Sequence, residues 1–300
     1  MEATVPQVAA TALINISFAW VVGVLASRFW LMKQTAGWQM TVDKRLSSAM
    51  SVGLLVCITG IFLSLWTESA VMGDVTWLEA GPAFTQMLAS THYGHAGAAA
   101  LAFLVIALLV HLFRRGDVPS VSYLAVLSVL LFLTAAARVT IGHAYEHGPF
   151  SIAVAVEWLH LVVMALWAGI VFVAGWLVLP RVLAGHSALT KEVATYLSSM
   201  SNWAGGALAG ILATGAYNAY RVLGSPSQLI EVDYGQVLTF KLCLVLIAIA
   251  LGGFNKFVGL PRATLQRGLR TVITVLRAES VVLMLVLMAA AVLTSSAPPG

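Results

Sequence analysis

Charge is what this sequence has least of. Only 9% of its 300 residues are Asp, Glu, Lys or Arg, against roughly a quarter in an ordinary soluble domain. With 60% hydrophobic residues, that scarcity excludes a soluble fold of this size, because the apolar surface would have nowhere to hide. Cysteine is nearly as rare. Cys57 and Cys243 each lie inside an apolar run, which excludes a disulfide framework and fits thiols packed as small hydrophobes. No glycine-rich phosphate loop and no nucleic-acid motif is present, so an ATP-driven pump and a nucleic-acid binder are set aside. A basic segment ahead of the first apolar run is also missing. Only Glu2 precedes it, so that run is expected to stay as a helix rather than leave as a signal peptide.

What is there is a series of long apolar runs. Eight of them reach the ~20 residues that a helix needs to cross hydrocarbon, at about 7–32, 46–67, 88–113, 120–141, 152–180, 196–221, 234–257 and 272–295. The expected fold is all-α, a polytopic membrane helix bundle of eight transmembrane helices forming a single transmembrane domain over 1–300. Basic residues collect in alternate loops, at Arg28, Lys33, Lys44 and Arg45, at Arg114 and Arg115, at Arg181 and Lys191, and from Lys256 to Arg277. The positive-inside rule makes those loops cytoplasmic and puts both termini on the periplasmic side. The longest outward loop is expected from Thr67 to Met87. Tyr93-Gly94 recurs as Tyr234-Gly235, and Thr59-Gly60 as Thr214-Gly215. These pairs fit a four-plus-four parallel repeat with halves 1–148 and 149–300.

Five of the seven histidines fall near the outward ends of three consecutive spans. His92 and His95 are three apart where the third span begins, His143 and His147 are four apart where the fourth ends, and Glu157 and His160 are three apart on the fifth. Residues at these spacings share a helix face. Ionisable groups in a bilayer are costly and mark ion or proton paths, and imidazole is the commonest metal ligand near neutral pH. Met164, one turn beyond His160, continues the stripe inward, and a thioether tilts metal preference toward Cu(I). The candidate metal ligands are therefore His92, His95, His143, His147, Glu157, His160 and Met164. His111 and His186 lie among basic residues and are read as bystanders. Arg138 would repel a cation and is expected to pair with Glu146 or Glu157.

Two further charged residues, Lys241 and Glu279, lie well inside apolar runs. Lys241 can snorkel to the outer face, whereas Glu279 needs a partner from among Lys241, Arg277, Asn202, Asn218 and Asn255. A structural clamp and a proton relay both fit Glu279.

At these residues the sequence resembles the CopD family of bacterial inner-membrane copper-resistance and copper-uptake proteins. The resemblance is carried by Gly142-His143-Ala144, by His160 followed by Trp167-Ala168-Gly169, by Tyr234-Gly235 with Lys241, and by Arg277 with Glu279 ahead of Leu293-Thr294 and Pro298-Pro299. It is clearest over 140–300. In the first half it rests on Thr91, Tyr93 and Gly94, with His92 and His95 as additions to the family pattern. The resemblance implies a multi-pass protein of the bacterial inner membrane that takes copper, as Cu(I) or Cu(II), from a periplasmic partner of the CopC type and moves it toward the cytoplasm. It implies a permease and not an enzyme. A metal-dependent oxidation, or hydrolysis with Glu157 as base, is the enzymatic alternative. A b-type cytochrome with two histidines ligating haem b near the outer face is the electron-transfer alternative.

Overall fold

The computed structural model describes residues 4–33, 36–114, 118–142, 145, 148, 150–184, 190–222, 232–263 and 266–296. His143, Glu146, His147 and His186 lie outside the described residues. Among those described, the regular structure is helical throughout. The helices are α1 (Val5–Trp30), α2 (Gly37–Met72), α3 (Gly81–Ser90), α4 (His92–Leu112), α5 (Val121–Val139), α6 (Ile152–Ala184), α7 (Lys191–Val222), α8 (Asp233–Arg262) and α9 (Gln266–Ser295). Hydroxyl side chains set several starts. Thr4 makes a capping box with Gln7, while Thr91, Ser120 and Ser151 accept the amide hydrogens of Gly94, Tyr123 and Val154.

Seven helices, α1, α2, α4, α5, α6, α8 and α9, are long and apolar enough to cross a membrane. The chain is a multi-pass membrane protein. Each of the eight expected runs has its helix, but α7 falls outside the seven because Ser198, Ser199, Ser201, Asn202, Gly205 and Gly206 dilute its apolar content. The expected loop from Thr67 to Met87 is partly helical: α2 runs on to Met72 and Pro82 helps start α3. An aromatic cluster of Phe62, Trp66, Trp77 and Phe84 folds this segment back, and the Trp77 indole donates to Thr67 Oγ1 at 3.2 Å. Such rings are typical of the membrane–water boundary.

The centre of the bundle is the crossing of α1 and α6. Each carries two small residues four apart, Ala19 and Gly23 on α1 and Ala165 and Gly169 on α6. A methyl group on Gly23 would overlap the Gly169 backbone, and one on Gly169 would overlap Ala19 and Gly23. Small residues permit this approach, which replaces the missing hydrophobic drive in lipid with close backbone packing. Around this crossing, α2 packs on α1, α7 packs on α6, and the pairs α4–α5 and α8–α9 close the two sides.

Two helices change pitch near one end of the bundle. A π-helical turn spans Ala174–Val178 in α6 and another spans Asn255–Gly259 in α8. Each is followed by Leu-Pro-Arg, at Leu179–Arg181 and Leu260–Arg262. Pro180 and Pro261 have no N–H to give the carbonyl four residues back and crowd it with their rings, and a widened turn relieves both problems.

Candidate metal centre and membrane-buried polar groups

On α6, Glu157 and His160 share a face that looks onto α7. His160 Nδ1 lies 2.8 Å from Thr214 Oγ1, and Thr214 Oγ1 donates to the Gly210 carbonyl at 2.6 Å. The single hydroxyl proton is thereby committed to Gly210. His160 must then donate from Nδ1, which leaves Nε2 as a free lone pair. Glu157 Oε2 accepts from Asn218 Nδ2 at 2.6 Å, while the Asn218 Oδ1 is buried without a hydrogen-bond partner. Lys241 and Tyr234 of α8 and Arg221 of α7 lie within electrostatic range of Glu157, and Lys241 also acts on His160. Met164, one turn further along α6, is buried. These contacts, together with Gly210 against Val163, run α7 antiparallel along α6.

The other described histidines at this end sit differently. His92 is exposed, with Nε2 3.2 Å from the Thr140 carbonyl at the end of α5 and its ring stacked on Tyr145 at 4.1 Å. His95 is also exposed, and its Nε2 lies 3.3 Å from the Ala89 carbonyl of α3. The three-residue spacing therefore sends the two rings to different neighbours. Among the described residues, no three His, Cys, Asp or Glu side chains are placed to hold one metal ion.

Arg138 does not pair with Glu157. Its Nη2 donates to Asn15 Oδ1 at 2.7 Å, and its guanidinium lies 5.8 Å from the Phe18 ring centroid. Asn15 in turn donates to the Leu287 carbonyl of α9 at 3.4 Å. Burial beside α1 turns Arg138 toward the bundle interior, where an amide oxygen is the acceptor within reach.

The partner of Glu279 is a residue that sequence reasoning did not consider for that role. Glu279 is 2% exposed, and its carboxyl takes a hydrogen bond from the Trp167 indole. Glu157, His160, Met164 and Trp167 recur at helical spacing, so one stripe of α6 leads from the histidine end to Glu279, roughly 15 Å along the axis at 1.5 Å per residue. Arg277 does not pair with Glu279. Its Nε donates to the Gly175 carbonyl at 3.2 Å, in the first π-turn, and its guanidinium lies 4.7 Å from the Trp176 ring centroid.

A second buried network, at the basic end of the first half, was also not foreseen. Arg28, fully buried, forms an ion pair with Asp43 at 2.8 Å and donates from Nη1 to the Tyr123 hydroxyl at 3.0 Å. The Tyr123 hydroxyl lies 2.6 Å from His111 Nδ1, and His111 Nε2 lies 3.0 Å from the Ser47 carbonyl. A carbonyl can only accept, so His111 donates from Nε2 and accepts the Tyr123 O–H hydrogen bond at Nδ1. His111 is thus a member of this network and not a bystander to it. The signal available in the sequence was the pair Arg28 and Asp43, one charge at each facing helix end.

Residues 194–293, covering nearly all of α7 together with α8 and most of α9, match the family model described as Copper resistance protein D. This is the family whose pattern Tyr234-Gly235, Lys241, Arg277 and Glu279 resemble. No curated protein and no solved structure matches the chain.

Proposed function

We propose that this relative of copper resistance protein D binds copper where α6 meets α7 and passes it inward along the α6 stripe. The observation that carries this reading is the committed tautomer of His160. Thr214 accepts the Nδ1–H hydrogen bond and Nε2 keeps its lone pair, while Glu157, one turn away on the same face of α6, holds Asn218, whose Oδ1 has no partner. Imidazole with oxygen donors suits Cu(II), and the Met164 thioether one turn deeper suits Cu(I). Lys241 balances Glu157 while the site is empty, and an arriving cation competes with it for the carboxylate. His92 and His95, exposed at the same end, belong to a receiving surface together with His143 and His147.

The orientation that goes with this reading puts the histidine end in the periplasm of a bacterial inner membrane. There a copper-carrying protein of the CopC type would deliver the ion. Because α7 runs antiparallel along the spanning helix α6, we take it as an eighth crossing, with both termini on the periplasmic side. The four helices of each half then form a parallel pair of repeats. In this reading the protein is a carrier of copper and not a catalyst.

Equilibrium dialysis of purified protein against copper, with elemental analysis and an optical spectrum, tests the proposal. Wild-type protein is expected to bind copper, and His160→Ala to lose the ion held between α6 and α7. Retention of full copper binding by His160→Ala, or a Soret band reduced by dithionite in the purified protein, would overturn it.

A further inference from the structure

The middle of the second half holds two buried polar side chains that the copper site does not use. Glu279 is 2% exposed and Asn255 3% exposed. Both amide atoms of Asn255 lack any hydrogen-bond partner. A buried amide with neither donor nor acceptor satisfied carries a large desolvation penalty and points to a bound water or ion. Glu279 has only the Trp167 indole donating to it. Among the described residues, none forms an ion pair with Glu279 within 4.0 Å.

The two groups lie in the same seam. A methyl group on Gly252 would meet Glu279 Oε1 at 3.2 Å, and one on Gly259 would meet Val272 Cγ2 at 3.1 Å. That register runs α8 antiparallel to α9 and sets Asn255 at the level of Leu276, about one turn below Glu279 on the basic side. Gly175, in the π-turn of α6, meets Leu276 at the same level. Both π-turns thus flank α9 there, and Asn255 opens one of them. Its amide fits only because residue 259 is glycine, since a methyl group there would come within 2.8 Å of Oδ1.

The charged and titratable groups around Glu279 are few. On α9 itself, Arg277 turns away to Gly175 and Trp176. On α8, Lys241 lies several turns toward the histidine end, and Lys256 directs its Nζ to the neighbourhood of Gly205 on α7. At this level α6 contributes Trp167. Among the described residues Glu279 is therefore an acid without a paired cation, placed between a stripe leading from the histidine end and an unsatisfied amide leading to the basic end. Ionisable groups held this way in a membrane interior mark proton relays.

We propose that Glu279 is a proton-exchange site reached from the basic end through water held by Asn255. The proton leaves the carboxyl for that water and returns from it. The carboxylate left behind persists while a cation on the α6 stripe balances it. Only this coupling to the cation rests on the proposed copper function.

Difference infrared spectroscopy of the detergent-purified full chain, without metal, tests the exchange site independently of copper. Wild-type protein is expected to show a protonated-carboxyl carbonyl band that shifts in D2O and is absent from Glu279→Gln. Asn255→Leu, and Gly259→Ala as a variant that keeps Asn255 but displaces its amide, should slow the shift by about tenfold, the loss expected from one water-held hydrogen bond. No band sensitive to Glu279→Gln, a band that never shifts, or an unchanged exchange rate in both folded variants would overturn the proposal. Copper addition then tests the coupling. The band should diminish in wild type and stay in His160→Ala, and a wild-type band that copper leaves unchanged would overturn the coupling alone. Copper dialysis of the same samples shows separately whether the metal site itself exists.

Discussion

Two buried polar networks, one in each half of the bundle, are built in opposite ways. In the first half, Arg28, Asp43, Tyr123 and His111 form a closed chain in which each donor has its acceptor, ending on the Ser47 carbonyl. In the second half, Glu279 has one donor, Asn255 has no partner, and Asn218 keeps an unpaired Oδ1 beside Glu157. At two other helix crossings the contrast repeats. Gly60 of α2 packs on Ile14 of α1, whereas Gly215 of α7 packs on the His160 ring of α6. A closed network locks helices together, while an open one leaves valences for something that comes and goes. The open half also holds residues 194–293, which match the copper-resistance family model.

The largest effect that would break this contrast is on stability. Asp43→Ala strands the fully buried Arg28 guanidinium, and removing one partner of a buried pair costs about 3–5 kcal/mol. Thermal unfolding in detergent should therefore fall sharply for Asp43→Ala. Glu279→Gln keeps an acceptor for the Trp167 indole and removes an unpaired acid, so its unfolding temperature should hold or rise. Equal losses in the two variants would erase the distinction between a structural half and a working half. Next in size is the central crossing. Gly169→Leu must push α1 away from α6, and overpacking of this kind costs about 1–3 kcal/mol or more. It is expected to loosen both halves together, read as a lower unfolding temperature with reduced copper binding.

Much of the fold was legible because a bilayer imposes a length on its helices, and every expected run has one. Where reading failed, the cause was local chemistry. The extra helix α3 depends on Pro82 and on tryptophan contacts across the turn, which periodicity does not register. The polarity of α7 comes from its serines, Asn202 and glycines, of which Ser198, Asn202 and Gly206 are exposed, and hydropathy alone does not say where such a helix sits. The candidate site was legible as residue types but less so as partners. Glu157 and His160 do share a face, as their spacing implied, yet Thr214 and Asn218 reach them from a helix 54 and 61 residues later in the chain. Arg138 finding Asn15, and Glu279 finding Trp167, depend on helix order around the bundle, and hydropathy carries no information about that. The π-turns had a sequence signal, the repeated Leu-Pro-Arg, which acquires meaning once α9 is seen between them.

The contrast sharpens at the proposed α6–α7 site through Thr214. Thr214→Val removes the acceptor that fixes the His160 tautomer but leaves Glu157, Asn218 and the imidazole in place. Groups that orient a metal-binding histidine from behind typically account for 10–100-fold in metal affinity. Copper titration should show a loss of about that size, with Thr214→Ser restoring it because the hydroxyl returns. Gly60→Ala, at the α1–α2 crossing of the first half, would press a methyl group on Ile14 at 2.9 Å and should leave copper affinity as it is. If Gly60→Ala weakens copper binding as much as Thr214→Val, the outer site is not confined to the second half.

The smallest expected effect separates a receiving surface from a binding site. His92 is exposed, and its ring stacks on Tyr145 at the edge of the bundle. Surface substitutions away from buried features usually fall within about 0.5 kcal/mol, so His92→Ala should hardly move the unfolding temperature. Nor should it move the equilibrium copper affinity of the α6–α7 site, because His92 reaches the α5 end instead of α7. On the proposed function, its effect falls on the rate at which copper is taken up from a carrier protein, read by stopped-flow transfer from copper-loaded donor to purified chain. A slower transfer at unchanged affinity fits a first contact that hands the ion on. A loss of affinity equal to that of His160→Ala would mean that the two histidines act as one site, and the division between the exposed surface and the buried stripe would have to be redrawn.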